Sequence, residues 1–185
     1  MAVAAMLTMA ASASAQTAEG GKPSASLPGG SSSLQETFDG WTLQCTATEK
    51  GRLCNIQQQQ RHRETKQLVL AAELEAVPNG AANGSLVLPF GLRLSSGVTL
   101  QIDDQPSPQP LAFSTCLPVG CVVPLSLDKA AVGRLRGGAT LKVGAIASED
   151  GKPIAMSIQL KGLAPALDRL ATLVQPGSVP KDKKQ

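Results

Sequence analysis

The chain is poor in aromatic residues and in histidine. Aromatic side chains make up 2% of its 185 residues, with no Tyr, one Trp and three Phe, and there is one His. Proteins that bind single-stranded nucleic acid usually stack the bases on aromatic rings. The 17 basic and 14 acidic residues are also too balanced for a nucleic-acid footprint. The composition argues against nucleic-acid binding, a sugar-stacking surface and a His-rich metal site.

Long hydrophobic runs are absent as well. The run VAAMLTMAA near the N-terminus is shorter than the roughly 20 apolar residues of a transmembrane helix, and no later stretch approaches that length. Ala13-Ser14-Ala15 before Gln16 is the small-x-small pattern that signal peptidase cleaves, although no Lys or Arg precedes Lys22. We predict a signal peptide over residues 1–15 and a periplasmic or secreted mature chain without a transmembrane segment.

The residues after the cleavage site predict one domain between two flexible ends. Residues 16–37 are rich in Gly, Ser and Pro and predict a disordered leader, and residues 176–185 predict a polar tail. Between them, residues 38–175 are about 140 residues, enough for one domain with one core. No cysteine precedes Cys45, so the leader offers no site for an N-terminal lipid.

Alternating apolar residues predict short strands along this domain. Residues 68–76 are predicted as a strand, and residues 90–103 as a hairpin that turns at Ser95-Ser96-Gly97. Residues 77–85 contain two Asn-Gly pairs and are predicted as a loop. Pro124 predicts an edge strand or a bulge, because proline donates no backbone hydrogen bond.

The C-terminal part combines helices with a last hairpin. Asp128 can cap a short helix over residues 129–136, and a C-terminal helix starts near Pro165. Its apolar stripe comprises Leu163, Leu167, Leu170 and Val174. An Asp150-Gly151 turn would pair Ala147 with Ile154, Ala145 with Met156, Val143 with Ile158 and Leu141 with Leu160. With eight or nine strands in all, the sequence predicts an all-β sandwich or open barrel with two helices.

The four cysteines predict two disulfides in an exported chain. If Glu49-Lys50 is a turn, Cys45 faces Cys54 and Leu43 faces Ile56 across a hairpin. If Pro118-Val119 is a hairpin tip, Cys116 faces Cys121. Among the three connectivities, hairpin geometry therefore favours Cys45 with Cys54 and Cys116 with Cys121.

Arg61-His62-Arg63 lies in a polar run between two predicted strands. His62 is the only histidine and has no metal-ligand spacing, so no metal role is predicted for it. Two interpretations stay open: a solvated hairpin tip, or a basic contact patch for an anionic surface or partner.

Several motifs occur in order along the domain. They are Trp41 with Cys45, Cys54, the segment 89–92, the strand 97–103 and the segment 113–121 with its two cysteines. Together they resemble the invasion-associated locus B family. The resemblance covers roughly residues 38–174; the family usually has Gly-Phe where this chain has Gly162-Leu163. It implies a small exported bacterial domain linked by name to host-cell entry, and it carries over no catalytic residues.

The sequence contains no pattern that points to catalysis. There is no activated serine constellation and no phosphate loop, and Asp103 and Asp104 are adjacent, so in a strand they point to opposite faces. We predict a non-catalytic protein without a cofactor that binds an unidentified protein, or the envelope or host surface. Alternatives are a redox role for the Cys116/Cys121 pair and a periplasmic small-ligand binder that uses the mouth of the sandwich.

Overall fold

A computed structural model describes residues 26–105 and 109–174 of the chain. Within these residues, ten strands form two antiparallel sheets. The strands are β1 (Ser33–Phe38), β2 (Trp41–Thr48), β3 (Gly51–Arg61), β4 (Leu68–Ala76), β5 (Ala82–Leu88), β6 (Thr99–Ile102), β7 (Thr115–Leu117), β8 (Gly120–Leu127), β9 (Thr140–Ile146) and β10 (Pro153–Gln159). The larger sheet has the order β1-β2-β3-β4-β5-β8-β7 and the smaller has the order β10-β9-β6.

Side chains from both sheets and from two helices share one hydrophobic core. In β4, for example, Leu70, Ala72 and Leu74 are buried while their neighbours are partly exposed. This alternation follows from the two-residue period of a strand, which sends apolar side chains to one face. The structure therefore confirms the β-rich class with two helices. Of the two architectures predicted, a sandwich and an open barrel, the fold is the sandwich.

The β2–β3 hairpin has the register that its apolar pattern predicts. Cys45 lies opposite Cys54 and Leu43 lies opposite Ile56. The two cysteines form a disulfide with their Cα atoms 4.1 Å apart. Because Leu43 and Ile56 are fully buried, this end of the sheet is fixed by both a covalent bond and the core.

The predicted hairpin over residues 90–103 is wrong. Leu94–Ser96 forms a short 3-10 helix, and the residues on either side of it do not pair with each other. Instead, Leu92 bridges Ala147 and β6 pairs with β9, so both segments run along the same strand, one after the other. The alternation correctly indicated extended backbone, but it could not indicate which strand was the partner.

The last hairpin forms with a different register from the predicted one. The Ala147 N–H donates a hydrogen bond to the Lys152 carbonyl at 2.9 Å, so four residues form the turn rather than two. The observed pairs are Ile154 with Ala145, Met156 with Val143 and Ile158 with Leu141. A shift of two residues keeps every side chain on its original face, and the apolar face is therefore preserved.

The predicted loop over residues 77–85 is too long. Asn79 and Gly80 do form a tight turn, but β5 already begins at Ala82 and contains Asn83 and Gly84. A Cβ atom on Gly84 would lie 2.0 Å from the Glu73 carbonyl oxygen of the neighbouring strand. Glycine is needed at this position because the two strands lie close together, not because the chain turns here.

Residues 26–37, which the composition assigned to the leader, belong to the domain. Leu27 is buried, and β1 pairs with β2 along its whole length. Arg52 holds this segment by donating to the Ser26 carbonyl at 2.6 Å and to the Leu173 carbonyl at 3.0 Å. The predicted signal peptide at 1–15, the leader up to residue 25 and the tail at 176–185 lie outside the described residues.

Both predicted helices are present. Helix α1 (Lys129–Gly137) is capped by Asp128, whose carboxylate accepts a hydrogen bond from the Ala131 N–H at 2.6 Å. Helix α2 (Leu163–Val174) packs against β1 to β4. Leu173, not the predicted Val174, completes its buried stripe.

An ion pair fastens α2 to the first strand. The Arg169 guanidinium donates to both carboxylate oxygens of Glu36, at 2.7 and 2.8 Å. These hydrogen bonds raise the pKa of the Arg169 guanidinium. Two parallel bonds of this kind fix orientation as well as distance, and α2 is thereby held at one angle to the sheet.

Pro124 lies in a part of β8 that its outer neighbour does not reach. The short strand β7 pairs with β8 only as far as Val122, whose carbonyl accepts a hydrogen bond from the Ser114 N–H at 2.9 Å. Backbone groups two residues apart in a strand face the same side, so the Pro124 nitrogen faces the side where β7 has ended. The predicted edge character is therefore local to this half of β8.

Candidate functional site

Four large apolar side chains are exposed at one end of the larger sheet. They are Phe90, Leu94, Leu117 and Val119, with exposed fractions of 60%, 45%, 48% and 60%. The register of Leu88 with Cys121 brings the residues after β5 to the same end as the β7–β8 turn. Leu94 and Cys116 both line a surface cavity of about 470 Å³. We call these four side chains the apolar tip; they are four of the six large apolar side chains exposed in the described part of the chain.

A disulfide and a close backbone contact fix the hairpin that carries half of this tip. Cys116 is bonded to Cys121, as the predicted hairpin required, with Cα atoms 3.9 Å apart. A Cβ atom on Gly120 would lie 2.4 Å from the Leu88 carbonyl oxygen, so only glycine allows the hairpin to sit this close to β5. Leu117 and Val119 are therefore exposed on a hairpin whose position is fixed.

The two disulfides differ in exposure, and we expect them to differ in reactivity. Each bond has one buried cysteine, Cys45 or Cys121, but the other cysteine is exposed at Cys116 and only half-buried at Cys54. An exposed disulfide is attacked more readily by a thiolate. Under limiting reductant followed by alkylation, we expect peptide mapping to find label on Cys116 and Cys121 before Cys45 and Cys54. Earlier labelling of Cys45 would contradict this expectation.

The segment from the last residue of β3 to the start of β4 is basic, and each residue from 61 to 67 is exposed. It contains Arg61, Arg63 and Lys66 against one acid, Glu64. The Arg61 guanidinium donates to the Lys66 carbonyl at 3.2 Å and to the Gln59 amide oxygen at 3.1 Å. These bonds order the loop without neutralising its charge. We call residues 61–67 the basic loop.

His62 has a structural partner inside this loop. The Thr65 N–H donates to His62 Nδ1 at 3.4 Å, which closes the turn. Across the described residues, no group of three or more His, Cys, Asp or Glu side chains lies close enough to hold a metal ion. The contact that His62 makes is the one expected of a solvated hairpin tip.

The basic loop and the apolar tip are neighbours. Arg61, Leu68 and Val119 line one small cavity of about 190 Å³. The strand order places β4 and β5 between the basic loop and β8, and all of them end on this side. We call the combined surface the amphiphilic end. The sequence identified the arginines and cysteines of this surface. It did not identify Phe90 and Leu94, which the prediction placed in a half-buried hairpin. The glycine that follows Pro89-Phe90 was a signal for an exposed turn.

The adjacent carboxylates Asp103 and Asp104 contact different partners. Asp103 accepts hydrogen bonds from the backbone N–H groups of Ala139 and Thr140, at 3.1 and 2.8 Å. Asp104 pairs with Lys142 at 3.1 Å. Each carboxylate has its own structural partner. The two residues lie in a turn after β6 and not in a strand, so the separation on opposite strand faces that the sequence suggested does not apply here.

A second feature is a cavity of about 540 Å³ between the two sheets. Most of its wall is apolar, and it includes Trp41, whose indole N–H donates to the Gln159 carbonyl at 3.0 Å. The polar side chains of Gln105, Gln109, Ser126 and Arg134 also contribute to the lining. The lining therefore combines an apolar wall with a few polar side chains.

Comparison with known proteins gives a consistent result. The family model for the Invasion associated locus B (IalB) protein matches residues 41–171. An invasion protein B homolog of Brucella abortus is 44% identical over 151 residues, which cover 82% of this chain and 87% of the relative. Invasion protein B of Bartonella bacilliformis is 35% identical over 176 residues, which cover 92% and 94%.

A solved structure agrees with the fold. The crystal structure of invasion associated protein b from Bartonella henselae superposes with a TM-score of 0.70 and 32% sequence identity. The match covers 76% of this chain and 96% of that one. None of the helices in the described ranges is long and apolar enough to cross a membrane.

Proposed function

Because the chain belongs to the invasion associated locus B family, we propose that it is an exported, non-catalytic binding protein that attaches to an anionic membrane surface and thereby assists host-cell entry. The observation that carries this proposal is the amphiphilic end, where exposed apolar side chains adjoin a basic loop. The names of the relatives, invasion protein B, support the connection with entry.

Export is supported by two features of the chain. The small-x-small pattern at Ala13-Ser14-Ala15 is that of a cleaved signal peptide. All four cysteines are paired in disulfides, which persist in oxidising compartments such as the periplasm or the outside of the cell.

The amphiphilic end has the chemistry of a peripheral membrane contact. Arg61, Arg63 and Lys66 are exposed, and each cation near an anionic leaflet contributes about 1 kcal/mol of attraction. Phe90 and Val119 are each 60% exposed beside them and can enter the boundary between headgroups and acyl chains. Cations alone would give weak, salt-sensitive attachment; apolar side chains add a contact that salt does not screen.

The test is sedimentation of the signal-free protein with vesicles. We expect binding to vesicles that contain phosphatidylserine and little binding to pure phosphatidylcholine. Charge reversal by Arg61→Glu and Arg63→Glu together is expected to weaken binding by tenfold or more, since about 1 kcal/mol is lost for each removed cation. Phe90→Ser with Val119→Ser is expected to remove the residual binding at high salt.

Matched controls lie at the opposite end of β3. Leu53 is 70% exposed there, and Lys50 is exposed in the adjoining turn. Leu53→Ser and Lys50→Glu remove an exposed apolar group and reverse a charge, and both should leave vesicle binding unchanged. Equal binding of the Arg61/Arg63 variant and the parent protein would refute the membrane contact.

A cellular experiment tests the connection with entry. A deletion strain complemented with the Arg61/Arg63 variant is expected to show fewer intracellular bacteria than one complemented with the Lys50→Glu variant, at equal levels of exported protein. If the two strains enter equally well while only one protein binds vesicles, the membrane contact does not serve entry.

A further inference from the structure

The cavity between the sheets opens to solvent on one side and is much larger than the voids of a packed protein interior. Interiors are close-packed, and voids larger than a water molecule are few. This cavity measures about 540 Å³ and falls within the range of about 300–1,000 Å³ that small-molecule sites occupy. Its size has a cause in the sequence: among the described residues that line it, Trp41 is the only aromatic one, and Ala72 and Ala131 leave space where larger residues would fill it.

The deep wall of the cavity is apolar. It is formed by buried side chains from both layers of the sandwich, including Leu74, Leu86, Leu125, Leu135, Leu141 and Leu163. The only indole N–H in the wall is already bonded to the Gln159 carbonyl. Water needs two to four polar partners to be held in a cavity, and this wall offers few, so an apolar occupant is favoured.

The opening differs from the deep wall. Leu100, Ile102 and Leu111 are only partly buried there, so apolar surface continues from the interior towards solvent. Arg134, from the exposed side of α1, lies at this rim. In the described part of the chain no carboxylate forms an ion pair with Arg134, whereas Arg136 on the same helix is paired with Asp168 at 2.7 Å.

We propose that this cavity binds one molecule of a fatty acid, with the alkyl chain among the buried leucines and the carboxylate at Arg134. The apolar wall favours the alkyl chain. The Arg134 guanidinium, which pairs with no carboxylate among the described residues, favours an anionic head that it can hold by two parallel hydrogen bonds. This site is separate from the amphiphilic end, and the inference does not depend on membrane attachment.

Trp41 gives a direct measurement of occupancy. It is the only tryptophan of the chain and lines the cavity, so its fluorescence reports on this site alone. Dodecanoate with a terminal bromine quenches an indole only when the bromine is close to the ring. Below the micelle concentration, we expect saturable quenching by brominated dodecanoate and no comparable quenching by the unbrominated acid. Absence of saturable quenching would overturn the proposal.

Variants then separate the tail from the head. Arg134→Gln is expected to lower the affinity for the brominated acid by about tenfold or more, which is the loss expected for a charged hydrogen-bonded contact. The affinity for brominated dodecanol should not change. Lys129→Gln removes a cation from the same helix outside the cavity lining and should change neither affinity. If Arg134→Gln leaves the acid as tightly bound as in the parent protein, the assignment of the head is wrong.

Filling the cavity tests the location of the tail. Ala131 is half-buried on the α1 wall, and Ala131→Phe is expected to abolish quenching while the circular dichroism spectrum stays native. Ala131→Met is the smaller alternative if the phenylalanine variant does not fold, with partial loss expected. Either folded variant should still bind anionic vesicles. Undiminished quenching in a folded Ala131→Phe variant would show that the alkyl chain of the acid binds elsewhere and would refute this site.

Discussion

Replacing Gly162 by alanine is expected to lower the free energy of unfolding by about 3 kcal/mol or more. Gly162 has φ +89°, a conformation that residues with a Cβ atom rarely adopt. An added Cβ would also lie 2.1 Å from the Phe38 carbonyl oxygen and 2.7 Å from its carbon. These are backbone atoms at the end of β1, so relief requires moving either the β1–β2 turn or the start of α2.

Gly91 supplies the matched control for this experiment. Its φ of +85° is nearly the same as that of Gly162, but a Cβ atom there would meet nothing within 4 Å. Gly91→Ala should therefore lower the free energy of unfolding by about 1 kcal/mol, the cost of backbone strain alone. Both free energies of unfolding are to be measured by urea denaturation of the oxidised protein. Equal losses in the two variants would show that contact with Phe38 is not the cause at Gly162.

Leu170→Asp is expected to leave most of the protein unfolded at 25 °C. Leu170 is completely buried where α2 packs on the larger sheet. The substitution opens a cavity and places a carboxylate there without a partner; truncation to alanine alone costs about 2–5 kcal/mol at such sites. Leu167→Asp, at 7% exposure on the same stripe, should act in the same direction.

The neighbouring residue provides the comparison. Ala171 is exposed on the same turn of α2, so Ala171→Asp adds the same charge to the helix without entering the core. Its effect should stay within about 1 kcal/mol, chiefly from a negative charge near the C-terminal end of a helix. Circular dichroism and urea titration measure both variants. Native stability of Leu170→Asp would exclude the packing of α2 on the sheet.

Pairings between neighbouring strands could be read from the sequence. Cys45 and Cys54 are separated by a short turn, and the apolar residues Leu43 and Ile56 require the same register as the cysteines. The Cys116–Cys121 hairpin is equally local. In such hairpins the turn fixes the register and the buried face confirms it, so two independent signals agree.

Pairings between distant segments could not be read in this way. Thr99–Ile102 alternates like a hairpin strand, but its partner is β9, about forty residues further along the chain. Leu27 looked like part of a flexible leader because its Gly- and Ser-rich neighbours dominate the composition; the hydrogen bond from Arg52 to the Ser26 carbonyl, which holds it, joins residues far apart in sequence. Alternation shows which face is buried, not what covers it.

The candidate surfaces show the same division. The basic loop and the disulfide hairpin were each visible in the sequence, as charge and as cysteine spacing. Their proximity comes from the strand order β3-β4-β5-β8, in which β8 pairs with β5 across a long connection. The cavity near Trp41 depends on how two layers of leucines fail to fill the space between them, and no local pattern encodes a volume.

The position of Pro124 affects how copies of this protein meet one another. Beyond the end of β7, no strand in the described part of the chain pairs with the outer edge of β8, and unpaired edges promote aggregation between chains. The first backbone nitrogen on that free edge belongs to Pro124 and carries no hydrogen to donate. A strand that paired here would have one backbone carbonyl without a hydrogen bond. This half of β8 can therefore lack a neighbouring strand without promoting polymerisation of the protein.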